Sequence, residues 1–242
     1  MSTQIPITPL TPNQLTGLDT GHLTPFTIHP HSAHERQVMI HHQVCDALTS
    51  LIDAARLAGF TLDIASGFRD YARQTMIWNG KFSGERTIND ENGQAIDALS
   101  LNERERVDAI LRWSALPGAS RHHWGCDFDL YAVNALPENV PLQLEPWEYL
   151  TGHQAPFYRW LKAHAGQYGF FFPYAQYQGG VAFEPWHLSH YAVATDCLAQ
   201  LTPEILATQW QANPFLGVDR VLAALPKLYT QYIANICLVE EA

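Results

Sequence analysis

Ser120-Arg121-His122-His123-Trp124-Gly125-Cys126-Asp127-Phe128-Asp129 is the stretch on which the fold turns, and Glu184-Pro185-Trp186-His187 answers it downstream. Cys126, Phe128 and Leu130 alternate with Asp127, Asp129 and Tyr131. Successive side chains of a strand point to opposite faces, so the segment predicts a strand with one apolar and one acidic face. His122 and Asp129 are an odd number of residues apart, which would oppose them on one continuous strand. Gly125 lets the backbone turn between them, so that both can aim at one point. Asp127 shares the strand face of Asp129 and competes with it as a ligand. His187 would close the site from a second strand. Pro185 lacks an amide hydrogen and suits a bulge or an edge just before it.

Two imidazoles and a carboxylate make three N/O ligands, the set that holds a catalytic zinc while leaving one position for water. Glu184, three residues before His187, is a spare carboxylate that can take that water's proton. The pattern indicates a zinc hydrolase. The other histidines singled out, His34, His41, His42, His123 and His190, read as solvent-facing, capping or supporting groups. Cys45, Cys126, Cys197 and Cys237 show no CxxC spacing, which excludes a zinc ribbon or a thioredoxin motif.

Outward from this core, Ser32-Ala33-His34-Glu35 has the form of a capping box, predicting a helix from there to Gly59. Thr61-Leu62-Asp63-Ile64-Ala65-Ser66 alternates as a strand, and Asp70 caps a helix over 71–79. Residues 80–101, rich in Gly, Asn and Asp, read as a long loop, a kind of segment that is often functional. Asn102 opens a helix to about Trp113. Residues 155–167 are helical, and Val181-Ala182-Phe183 begins a further strand. From Thr202 on, the chain is mostly helical, with breaks at Pro214 and Pro226. The expected fold is α+β, a small antiparallel sheet flanked by helices with an extra helical C-terminal segment. The expected organisation is an extended arm over 1–31, a catalytic domain over 32–200 and a helical extension over 201–242 packed on it.

The chain has 242 residues, 47% of them apolar, enough for a substantial core. With 14 Lys and Arg spread along it and a formal charge of −10, it lacks the clustered cations that phosphate backbones require, so nucleic acid is excluded as a partner. No apolar run spans a bilayer, and no membrane partner is expected. The N-terminus has neither a basic start nor an apolar run. That predicts a cytoplasmic address, or a periplasmic one had a signal been removed.

The motifs resemble those of the D-alanyl-D-alanine peptidases of the vancomycin-resistance type, zinc enzymes grouped with lysostaphin-like peptidases and the hedgehog domain. The family pattern is S-x-H, two residues, G, three residues, D, then E-x-W-H. It is filled by Ser120, His122, Gly125, Asp129, Glu184, Trp186 and His187. An upstream S-G-Y-R block with a later Gln is matched by Ser66-Gly67-Phe68-Arg69 and Gln74. Two departures stand out: Phe68 replaces Tyr, and Asp127 replaces a small residue.

The resemblance implies Zn²⁺ on His122, Asp129 and His187, with Glu184 as general base. Arg69 would lie against the substrate's carbonyl or terminal carboxylate, unless a buried pair with Asp63 or Asp70 claims it. Ser66, Gln74, Ser120 and Trp186 would contact substrate, with Trp124 also walling the cleft. Arg69 would be the only fixed positive charge near the site. The implied activity is hydrolysis of a peptide bond next to a D-amino acid in cell-wall-derived peptides, the substrate being a small muropeptide or dipeptide. The alternatives are an endolysin-like L-Ala-D-Glu peptidase and a non-catalytic, hedgehog-like zinc domain that binds a peptide or protein.

Overall fold

The computed structural model describes residues 9–32, 35–91 and 93–238. Its centre is a four-stranded antiparallel sheet built on β3 (Leu62–Ser66), β6 (Asp127–Ala132), β7 (Phe170–Phe171) and β8 (His187–His190). The spatial order is β3-β6-β8-β7, so the strand of the quoted motif lies inside the sheet, between β3 and β8. Phe128 and Leu130 are fully buried, as the apolar face of β6 requires. The acidic face is turned to the site, and cross-strand pairing sets Asp129 opposite His187 and Asp127 opposite Ser189.

Two small antiparallel hairpins complete the strands: β1 (Leu23–Ile28) with β2 (Arg36–His41), and β4 (Ile88–Asn89) with β5 (Ala95–Ile96). The helices are α1 (Pro12–Leu15), α2 (Cys45–Leu57), α3 (Tyr71–Phe82), α4 (Glu103–Leu111), α5 (Pro146–Leu150) and α6 (Ala155–His164). They continue as α7 (Tyr191–Gln200), α8 (Pro203–Ala212), α9 (Val218–Ala223) and α10 (Leu225–Leu228). Among the described residues no helix is long and apolar enough to cross a membrane.

The helix starts at Asp70 and Asn102 form as expected. The Asp70 carboxylate accepts from the Arg73 amide at 2.6 Å, and Asn102 and Glu105 form a reciprocal capping box. Three expectations are corrected. The helix expected from the Ser32 box begins only at Cys45, and part of that box, Ala33 and His34, lies outside the described residues. Residues 36–41 instead pair with β1, because β-branched Val38 and Ile40 fit a pleated ladder and Ile40 is wholly buried there. Residues 80–101 are not structureless. The helix before them runs to Phe82, whose ring packs near Trp78, and the β4–β5 pairing is too short to show as periodicity. Residues 181–183 join no ladder, and the strand starts at His187, after a turn closed by the His187 amide on the Glu184 carbonyl at 3.2 Å.

Where the N-terminal segment reads as an extended arm, residues 9–32 carry α1 and β1. The tail helices share the main core: Trp210 and Phe215 meet edge to face at 5.8 Å, and Phe215 meets Trp78 on α3 the same way at 5.7 Å.

Candidate metal centre and cleft

Gly125 makes the site possible. It ends a short turn of Arg121–Trp124 at φ +70, and a Cβ there would lie 2.4 Å from Leu23 Cδ2 and 2.8 Å from the His41 amide nitrogen. That close approach lets the His41 amide donate to the Gly125 carbonyl at 2.8 Å, docking the β1–β2 hairpin under the motif. His122 precedes the turn and Asp129 follows it on β6. One potential ligand atom from each of His122, Asp129 and His187 comes within 4.8 Å of the others, and all three residues are buried.

Both imidazoles have one ring nitrogen engaged by the protein and the other turned toward Asp129. His122 Nδ1 faces the Gly67 carbonyl at 2.9 Å, which leaves Nε2 directed at Asp129 Oδ2, 3.5 Å away. His187 Nε2 faces Asp127 Oδ1 at 2.9 Å, which leaves Nδ1 3.3 Å from Asp129 Oδ1. A carbonyl or carboxylate behind a ligating histidine fixes its orientation and raises its basicity. Burial lowers His122 to about 4, so it stands as a neutral donor. Burial opposes protonation of His187, but its bonds to Asp127, Asp129 and Glu184 outweigh that and raise it well above the ordinary imidazole value. Asp129 Oδ1 is buried without a hydrogen bond. Two buried carboxylates, Asp129 and Glu184, meet on the side to which both imidazoles turn, surroundings that fit a cation, and the donor set of two nitrogens and one oxygen suits zinc.

The competition between Asp127 and Asp129 resolves in favour of Asp129. Because His187 pairs across from Asp129, its ring lies between the two carboxylates, with one ring nitrogen toward each. Asp127 is further fixed by Arg121 Nε at 2.7 Å, and Arg121 Nη2 donates to Ser189 Oγ at 2.7 Å. Burial pushes the Asp127 carboxyl up, yet Arg121 and then His187 override it and hold the group well below the usual range.

Glu184 Oε2 is 3.3 Å from His187 Nδ1 but stands outside the three-residue ligand set. Burial raises its pKa against the pull of His187. Arg69 has neither Asp63 nor Asp70 as a partner. Asp63 takes Arg36 at 2.6 Å, and Asp70 caps its own helix. Arg69 donates instead to Gln74 Oε1 and Ser66 Oγ, both at 2.8 Å. Gln74 is fully buried, with its amide nitrogen given to the Ala115 carbonyl at 2.7 Å. Gln74 and Ser66 therefore reach the site through Arg69. His123, likewise fully buried, accepts from the Gly118 amide at 3.0 Å and faces the Arg69 carbonyl at 2.5 Å, so it braces the same arginine.

A cavity of about 540 Å³ opens over the centre, and Ser120, Trp124, Trp186, Glu184 and Arg69 border it with the three candidate ligands. Lys81, Arg86, Tyr174, Tyr232 and Ile233 also line it, and sequence reasoning missed all five. Arg69 is thus not the only cation there. Gln74, Ile77 and Lys81 follow helical spacing on α3, so the face bearing Gln74, carried to the true end of the helix, would have found Lys81. Tyr174 and the tail residues carry no comparable signal.

Residues 37–193 match the VanY family model, described as D-alanyl-D-alanine carboxypeptidase. An uncharacterized protein of Haemophilus influenzae is 35% identical over 121 residues, covering 49% of this chain and 92% of the relative. A D-alanyl-D-alanine carboxypeptidase of Enterococcus faecalis is 28% identical over 149 residues, covering 60% of this chain and 46% of that protein. Among solved structures, the LdcB LD-carboxypeptidase superposes with a TM-score of 0.51 at 24% identity, over 74% of this chain and 72% of the other, a likeness of fold. With the family match spanning both halves of the motif, the chain belongs to the VanY family of D-alanyl-D-alanine carboxypeptidases.

Proposed function

We propose that the protein is a zinc-dependent peptidase that hydrolyses the bond next to a D-amino acid in small cell-wall-derived peptides. The observation that carries this reading is the paired orientation of His122 and His187. Each ring has its far nitrogen engaged, by Gly67 or by Asp127, and its near nitrogen turned to Asp129 beside an unligated Glu184. Held there, zinc would lower the pKa of a water to about 7 and polarise the scissile carbonyl. Glu184, its pKa raised by burial, accepts the water's proton and delivers it to the departing amine. Arg69, fixed by Ser66 and Gln74, presents its fork to the carbonyl oxygen as charge develops. Ser120 and Trp186 contribute a hydroxyl and an apolar wall to the peptide. A binding module would have no use for a buried base held beside the metal position, which sets the hedgehog-like alternative behind the catalytic one.

The test is mass spectrometry of zinc-loaded protein with D-Ala-D-Ala and with tri-, tetra- and pentapeptide stems. Loss of one terminal D-alanine is expected. Glu184→Gln is expected to retain zinc and lose turnover by at least ~100-fold. Normal turnover in that variant refutes the assignment of the base.

A further inference from the structure

Four basic side chains line the cavity: Arg69, Lys81, Arg86 and Arg121. Arg121 is spent on Asp127 at 2.7 Å. Among the described residues the other three form no ion pair with a carboxylate, although all three face the same cavity as Asp129 and Glu184. In a chain of formal charge −10 with only 14 Lys and Arg, three of them gathered around one hollow make it a place for an anion.

Lys81 is the best placed of them. Its Nζ donates to Ser114 Oγ at 2.7 Å, a neutral partner that fixes its direction without consuming its charge. Burial lowers its pKa, Glu184 opposes that, and Arg69 and Arg86 add to it, so Lys81 stands within electrostatic reach of both catalytic side chains. Arg86 is delivered to the same wall by a glycine. Its amide donates to the Gly80 carbonyl at 2.7 Å, and a Cβ on Gly80 would lie 2.9 Å from Arg86 Cδ. Arg69 is tied to Ser66 and Gln74 next to the metal position, where the scissile carbonyl would lie. One residue further along an extended peptide is roughly 3.5 Å, and in a substrate cut at its last bond that distance ends in a carboxylate.

Resting on the peptidase reading above, we infer that Lys81, supported by Arg86, is the residue that binds the free C-terminal carboxylate of the substrate. Arg69 then serves the carbonyl and Lys81 the terminus, a division that lets charge at the end of the chain decide which bond lies over the metal. Lys81 can hold the carboxylate as a point charge, while Arg69, already fixed by Ser66 and Gln74, is left for the carbonyl oxygen as it gains charge.

The experiment compares an N-acetylated tripeptide ending in D-Ala-D-Ala with its C-terminal amide. Binding of both is measured by calorimetry to full-length zinc-loaded Glu184→Gln protein, with and without Lys81→Met. The free acid is expected to bind the parent roughly 10- to 100-fold more tightly than the amide, the scale of a charge-assisted bond. Lys81→Met is expected to abolish that preference while leaving affinity for the amide within about twofold, and Lys81→Arg to restore part of it. Equal binding of acid and amide by the parent overturns the inference. So does a preference that survives Lys81→Met, or an equal loss for both ligands, the mark of a wall residue. Hydrolysis by the unaltered protein is read separately. Absence of turnover with the acid preference intact overturns the peptidase reading and leaves the carboxylate site standing.

Discussion

Replacing Asp127 by asparagine keeps the volume and one acceptor oxygen but deletes a charge on which two side chains depend. Asp127 Oδ1 lies 2.7 Å from Arg121 Nε and 2.9 Å from His187 Nε2, and Asp127 itself is fully buried. Arg121 is 4% exposed, lies over the Trp124 ring at 4.9 Å, and already has one nitrogen without a partner. It cannot shed its charge, so the variant leaves a buried guanidinium uncompensated, at a cost of about 3–5 kcal/mol. For a chain of this length each kcal/mol is about 2–4 °C, so Tm is expected to fall by about 6–20 °C. The imidazole also loses the carboxylate that raises its basicity, and zinc affinity is expected to drop about 10- to 100-fold. Differential scanning calorimetry and chelator competition measure the two effects. Combined with Arg121→Met, which removes the stranded charge, the loss is expected to fall short of the sum of the single losses by at least about 1 kcal/mol. A Tm within about 2 °C of the parent, strict additivity in the double variant, or unchanged zinc affinity refutes the reasoning.

Gly125→Ala places a methyl group against Leu23 and the His41 amide at a positive φ, and denaturant titration is expected to show a loss of at least about 2 kcal/mol. Arg69→Lys replaces a fork held through two separate nitrogens with a single point charge, so kcat is expected to fall about 10²- to 10³-fold while zinc stoichiometry, read by atomic absorption, stays at the parent value. Because a metal bound only to the folded chain stabilises it by mass action, zinc at about 1,000 times its Kd should add about 4 kcal/mol over chelator-treated protein. Identical melting curves with zinc and with chelator would count against a metal at His122, Asp129 and His187.

Much of the site was legible because its residues obey local rules. The alternation around Phe128 announced a strand, the glycine at 125 announced the turn before it, and Glu184 stood at a fixed offset from His187. What local rules left open was settled by cross-strand register. Nothing in the order of residues says that His187 falls opposite Asp129, yet that pairing alone decides that Asp127 backs the ring and Asp129 faces the metal position. The β1–β2 hairpin was hidden for a similar reason. Its sequence tolerates a helix, and long-range pairing with docking on the Gly125 carbonyl decides the matter. Lys81 was missed through a boundary error of three residues at the end of α3.

Tyr232 and Ile233 lie some forty residues beyond the end of the family match, yet they form part of the cavity wall. Homology and workmanship thus have different borders in this molecule. The family match covers the strands that carry the candidate ligands, while part of the cavity wall comes from a portion beyond it. Shortening the protein to residues 37–193 would remove that wall together with β1 and the tail's share of the core against Trp78. The tail is therefore both foundation and wall: the same segment that fills the core against α3 carries side chains that bound the cavity.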